Sequence, residues 1–187
     1  MPLPSIKLGE YEYKDALDTI TPALVANAPA EGTSLLTDLL NEALDELESA
    51  GRWSRVWMDH VGHRADHPTT LLQLAAALND CAIAAAEASD PAHVAQRLWA
   101  VSAQTAVFRR VALAVLAATT ARAPGIALLT DPSAFDMETI AEVRDLLVAL
   151  SPLLDQNDRE AIGPAIDASV LDDDSKSWLL QVPRWVA

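Results

Sequence analysis

Apolar residues recur along this chain at i, i+3, i+4 and i+7, the period of a helix with one buried face. The clearest case follows a cap at Thr33 or Ser34. Leu35, Leu36, Leu39, Leu40, Ala43, Leu44 and Leu47 form the apolar stripe, and Asp38, Glu42, Asp45, Glu46 and Glu48 form the opposite face. Gly51 closes that helix as a left-handed cap would. A second pattern, Gln104 to Ala121, is apolar nearly all round, with Val107, Phe108, Val111, Val115 and Leu116 among many alanines. Such a helix is buried on most sides, so other helices must wrap it. Only Arg109 and Arg110 interrupt it; Phe108 turns inward, and both arginines are expected to reach outward to acidic helices.

The remaining segments read as helices separated by proline, glycine and cap residues. Met1 to Glu12 is an extended arm, because Pro2 and Pro4 oppose early helix, and residues 13–187 form a single all-helical domain. A first helix starts near Tyr13 and breaks at Thr21-Pro22; Ala28 to Gly32 is a connection. Thr69 or Thr70 caps an alanine-rich helix carrying Leu71, Leu74, Leu78 and Cys81. Asp90-Pro91 opens another, with Val94, Leu98, Trp99 and Val101 inward. Arg122 to Gly125 is a connection before a short helix, Ile126 to Leu129. Asp131-Pro132 and Asp136 are cap-and-turn chemistry, and Phe135 plugs the space beside the next helix. That helix carries Ile140, Val143, Leu146, Leu147 and Leu150 on one face. Asn157-Asp158 caps a helix weakened by Gly163-Pro164, and Asp172, Asp173 and Asp174 open a last one with Trp178 and Leu179.

No stretch alternates with period two between turn signals. The expected fold is therefore all-α with no sheet: about eight to nine helices in an irregular antiparallel bundle or a short HEAT-like α-solenoid.

Composition narrows the function more than it identifies it. The 187 residues carry a formal charge of −14, which opposes binding to nucleic acid or an anionic membrane and suits a basic protein partner. A solvated acidic surface accounts for the same charge without any partner. Cys81 is the single cysteine, so no internal disulfide forms; in an apolar helix it reads as a buried, inert thiol. The first residues lack an apolar signal core, and the uncharged run Val111 to Ala121 is too short to span hydrocarbon. These features point to a cytoplasmic protein.

Four segments in order suggest a kinship: WSRVWMDH (Trp53 to His60), AVFRRVALAVLA (Ala106 to Ala117), ALLTDPSAFD (Ala127 to Asp136) and LSPLLDQNDREAI (Leu150 to Ile162). The order resembles the C-terminal helical-repeat region of large bacterial STAND-type ATPases and related defence-associated proteins, over roughly Leu35 to Ala168. The ATPase module itself has no counterpart, because no G-x-x-x-x-G-K-[ST] loop occurs. The resemblance implies a helical interaction or sensing module and carries over no catalytic residue and no cofactor.

Three constellations bear on chemistry. His60, His63 and His67 would share one face of a helix and could bind zinc with Asp59 or Asp66 nearby, although Gly62 and Pro68 oppose a regular helix there. Surface or capping histidines are the plainer account. No G-x-S-x-G is present, and Ser54 near His60 does not make a hydrolytic triad. The carboxylates of Glu42, Asp45, Glu46 and Glu48 lie on an exposed face, where nothing separates their pKa values for acid–base work. The five tryptophans fill gaps between alanine-rich helices, or else Trp178 and Trp185 anchor a partner. The reading is a non-enzymatic interaction module binding a protein through Asp38, Glu42, Asp45, Glu46, Trp178 and Trp185, with self-association left open. Its rivals are a small acidic inhibitor, antitoxin or immunity protein that neutralises a basic partner, and a metal-dependent enzyme using His60, His63 and His67.

Overall fold

The computed structural model describes residues 10–49, 61, 69–101 and 105–182. Among them it contains nine α-helices and no strand, which is the fold class expected. In order these are α1 (Glu10–Asn27), α2 (Pro29–Ser49), α3 (Thr70–Ala88), α4 (Pro91–Val101) and α5 (Ala106–Ala118). Then come α6 (Arg122–Leu129), α7 (Ile140–Leu150), α8 (Gln156–Ala168) and α9 (Asp173–Leu180). Short 3-10 turns at Pro132–Ala134 and Ser151–Leu153 flank α7.

The helices pack as a progression. α1 and α2 lie against α3; α3 lies against α4 and α5; α5 lies against α6 and α7; α6 touches α8, and α8 touches α9. The helix α5 is the hinge of this order, as its pattern predicts. Val111, Ala112, Leu113, Val115 and Leu116 are wholly buried, and Phe108 nearly so. Thr120, just past the end of α5, takes φ 48°, the left-handed region a glycine would occupy without strain. The Thr120 and Ala121 amides donate to the carbonyls of Ala117 and Leu116 at 3.2 and 3.1 Å, closing the helix.

The first two helices differ from expectation. α1 begins at Glu10 and runs through Pro22 without a break. Pro22 removes one amide donor, yet Leu17, Leu24 and Val25 on either side of it pack on the core and hold the helical path. α2 begins at Pro29, so only Ala28 separates the two helices. Gly32 belongs inside α2 because space demands it. A Cβ there would lie 3.0 Å from the Cys81 Sγ of α3 and 3.1 Å from the Leu24 Cβ of α1. The glycine lets three helices meet at one point, and Cys81 is fully buried there. Burial, and next the Asp80 charge, push its thiol pKa up to about 11, as an inert thiol requires.

Three caps follow the sequence, whereas Thr33 and Ser34, expected to cap the second helix, lie inside α2. Thr69 accepts from the Leu72 amide at 3.4 Å, Asp90 from Ala92 at 3.0 Å, and Asp172 from Ser175 at 2.7 Å. α6 starts at Arg122 rather than Ile126, with Pro124 in its first turn, where a missing amide costs nothing. The cap of α8 is Asp155, not Asn157-Asp158. Asp155 accepts from the Asp158 amide and Asp158 accepts from the Asp155 amide, each at 3.0 Å, a reciprocal capping box. α8 continues across Gly163-Pro164, held by buried Ile162, Ala165 and Ile166. Val101, expected inward, is exposed at the end of α4.

α3 is the one described helix long and apolar enough by composition to cross a membrane, and just over half of that stretch is buried within the fold. Its buried side include Leu71, Leu74, Ala75, Leu78, Cys81 and Ala82.

Candidate functional site

Two features stand out above the packing: a charged pair inside the stack, and an acidic face that no cation among the described residues answers, on the outer helix α2.

The inner feature begins with the Phe-Arg-Arg triplet of α5. Consecutive helix residues point about 100° apart, so the two arginines cannot share one environment. Arg109 does reach outward. Its guanidinium meets the Asp136 carboxylate at 2.8 Å and donates to the Ser133 carbonyl at 3.3 Å. Asp136 also accepts from the amides of Glu138 and Thr139, both at 2.9 Å, so one carboxylate joins α5 to the turn that starts α7. Phe135 beside it is buried, as expected.

Arg110 does the opposite of what its sequence suggests. Its side chain is 3% exposed and pairs at 2.8 Å with Glu142 of α7, whose side chain is 0% exposed. The same oxygen, Oε1, accepts from the Val61 amide at 3.1 Å. Glu142 thus ties residue 61, in the long connection between α2 and α3, to the α5–α7 layer. The other oxygen, Oε2, is buried and has no hydrogen-bond partner among the described residues. Glu142 was not singled out in the sequence, although a signal was there. It falls four and eight residues before Leu146 and Leu150, on the apolar stripe of α7, so a carboxylate in that register faces inward. A buried carboxylate demands a cation, and Arg110 is the charge the apolar α5 supplies.

A buried pair of this kind fixes the relative rotation of two helices. It does not by itself make a reaction site, because the guanidinium holds the carboxylate as an acceptor.

The outer feature lies on α2. Asp38, Glu42, Asp45 and Glu46, with Asn41 between them, line one open depression of about 600 Å3. Their spacing of three and four residues puts them on neighbouring positions of one helix face. Among the described residues no cation lies within ion-pairing distance of any of the four. Elsewhere cations do find acids: Arg122 meets Asp155 at 2.9 Å and Asp158 at 2.5 Å, and Lys14 pairs with Asp18 one helical turn away. The field of the acidic face reaches α1. Burial raises the pKa of the Tyr13 hydroxyl, and the Glu42 charge raises it further.

The structure therefore brings together four of the six partner-binding candidates. Trp178 stands apart on α9, 41% exposed. Trp185 lies outside the described residues, as do His60, His63 and His67. Among the described residues no group of three or more histidine, cysteine or acidic side chains is arranged to hold a metal ion.

No family model matches this chain, and neither a curated protein nor a solved structure matches it.

Proposed function

We propose that this chain is a non-enzymatic helical interaction module that docks a basic protein on the exposed face of α2. One observation carries the reading. Four carboxylates surround a single depression, and among the described residues no cation answers any of them. Placing like charges three and four residues apart weakens a helix by about 0.2–0.5 kcal/mol per pair. A face that keeps such repulsion suits a partner that supplies the cations. Such a field speeds encounter with a positive surface and makes binding salt-dependent.

The likeness of the Trp53 to Ile162 segments to helical-repeat regions of STAND-type proteins extends the proposal. On that basis the helices form a short HEAT-like stack, and the partner belongs to a cytoplasmic bacterial defence or signalling system. The same acidic face supports a second reading, an inhibitor or antitoxin that neutralises a basic partner by charge.

The test is affinity capture from a bacterial lysate with the wild-type chain and with Glu42→Lys/Asp45→Lys. A basic protein retained by the first and lost by the second supports the proposal. An identical captured set for both overturns it. A salt titration of the captured complex separates the two readings: binding that disappears between low and moderate salt favours the charge-driven inhibitor.

A further inference from the structure

The acidic depression of α2 has an apolar border. Only Ala28 separates α1 from α2, and the two helices double back on each other where a Cβ on Gly32 would lie 3.1 Å from the Leu24 Cβ. One turn from that crossing stand Ile20 on α1 and Leu35 on α2, because helix residues three and four apart share a side. Both are large aliphatic side chains left half exposed, 49% and 50%. Further along the pair the Glu42 charge acts on Tyr13, so α1 and α2 still face each other beside the acidic depression.

Leu35 also belongs to the acidic face itself. Asp38 follows it after one helical turn, Glu42 after two and Glu46 after three. The strip therefore runs from an apolar end, Leu35 with Ile20 beside it, over about 16 Å to an acidic end at Asp45 and Glu46.

The charge around this strip has one sign. α2 holds no cation. α1 holds one, Lys14, which Asp18 takes up, and the other charged groups of α1 are carboxylates. A second copy of this chain, at −14, would bring like charge to the strip, and so would a nucleic acid or an anionic membrane. A protein segment bearing Lys or Arg brings the opposite sign. Single exposed aliphatic residues are ordinary on a protein surface. Two of them across one helix seam, at the margin of a charged depression, make an apolar contact with a polar border, which is how interfaces are built.

We infer that the α1–α2 seam recognises a basic protein segment that carries a large apolar side chain at one end of its run of Lys or Arg. The apolar residue covers Ile20 and Leu35, and the cations lie over Asp38, Glu42, Asp45 and Glu46. This rests on the acidic docking face of α2 and adds what tells one basic segment from another. A segment with cations alone satisfies the acidic end and leaves Ile20 and Leu35 in water.

The test is a display library of random peptides of about 16 residues, long enough to cover the strip as helix or as extended chain, panned on the full chain. Enriched peptides are then measured by fluorescence anisotropy on wild type, Ile20→Asp, Leu35→Asp, Leu35→Gln and Glu42→Lys. The two aspartates remove an apolar contact while adding negative charge, so an apolar anchor and a purely electrostatic contact predict opposite signs. The expected peptides carry a large apolar residue at one end of a basic run. Their affinity falls on the order of tenfold on Ile20→Asp and on Leu35→Asp, falls in the same direction on the uncharged Leu35→Gln, and is lost on Glu42→Lys. Circular dichroism melts confirm that each variant is folded. Basic peptides without the apolar residue, or equal or tighter binding to Ile20→Asp and Leu35→Asp while Glu42→Lys still loses it, overturn this inference and leave the acidic docking face standing. No enrichment, enrichment of peptides that are not basic, or indifference to Glu42→Lys overturns the docking face and this inference with it.

Discussion

Removing Glu142 tests the interior of this protein more sharply than any core truncation. Its carboxylate is 0% exposed, and the Arg110 guanidinium opposite is 3% exposed. Taking away one partner of a buried pair costs about 3–5 kcal/mol, because the remaining charge stays in a poorly solvating interior. Glu142→Ala also strips the acceptor from the Val61 amide, a loss of about 1–3 kcal/mol when the donor stays buried. The two terms share one oxygen and do not add in full, so about 4–5 kcal/mol is the working figure. Against a total stability of about 5–15 kcal/mol, that removes a large part of the folded state's margin. For a domain of this size it corresponds to a fall in Tm of roughly 8–20 °C. Urea titration followed by circular dichroism reads it directly. The paired replacement Arg110→Met/Glu142→Leu is the decisive control. It exchanges both charges for apolar groups and should recover most of the loss, since a buried pair as a whole contributes little net stability. A cost below about 1 kcal/mol for Glu142→Ala, or a double variant worse than Glu142→Ala, would refute a buried, charge-balanced centre.

Four further outcomes follow from the geometry. Glu42→Lys removes like-charge contacts with Asp38, Asp45 and Glu46 and replaces them with attractions; a thermal melt should show a gain of about 1–2 kcal/mol while binding of the basic partner is lost. Thr120→Gly relieves the left-handed residue after α5 (φ 48°) and should raise stability by about 1 kcal/mol, or Tm by roughly 2–4 °C; no gain would mean that the threonine is held there without strain. Gly32→Val drives a side chain against Cys81 and Leu24 and should cost about 1–3 kcal/mol, less in a Cys81→Ala background. The Asp155 pKa lies below the usual carboxylate value, chiefly through the Asp158 amide bond and then the Arg122 charge. Its contribution to stability is therefore complete above the ordinary aspartate pKa and lost as the pH falls through the depressed folded value. Urea titrations across that acid range should show a shallower loss of stability in Asp155→Asn than in wild type.

The helical class was legible because it rests on periodicity, which is local. The wholly apolar α5 and the caps at Thr69, Asp90 and Asp172 act within one helix and stand where the pattern put them, and so do Leu36, Leu40 and Leu44 of the α2 stripe; Leu35, expected with them, is half exposed. What was hidden depends on neighbours. Pro22 reads as a break until Leu17, Leu24 and Val25 are seen packed on the core around it. Gly32 reads as a linker until Cys81 is found 3.0 Å from where its Cβ would be. Arg110 reads as a surface cation until Glu142, 32 positions later, is seen to share its interior. The acidic face of α2 was visible as a face, but whether a cation answers it is a question of tertiary structure. The Arg144 guanidinium of α7, 4.8 Å from the Trp178 ring centroid of α9, joins two helices and left no trace in either one's pattern.

The position of the inner pair gives it a bearing on the whole stack. Among the described residues α2 and α9 share no extensive contact; the packing runs from α2 through α3 to α5, and from α5 through its neighbours to the last helices. α5 is the element common to both halves, and the Arg110–Glu142 bond is where it is locked to α7. Apolar helix faces can slide or rotate by a fraction of a turn at modest cost, whereas a buried charge tolerates displacement from its partner poorly. The pair therefore sets the orientation of α7, and with it where Arg144 and Val148 face. By the same contact Oε1 of Glu142 holds Val61, in the connection that leads from α2. Arg110→Met/Glu142→Leu then has a second use: with stability largely restored, faster hydrogen exchange of the α7 amides would register loosening of α7 on α5. Unchanged exchange would assign that orientation to the apolar stripe of Val143, Leu146, Leu147 and Leu150 alone.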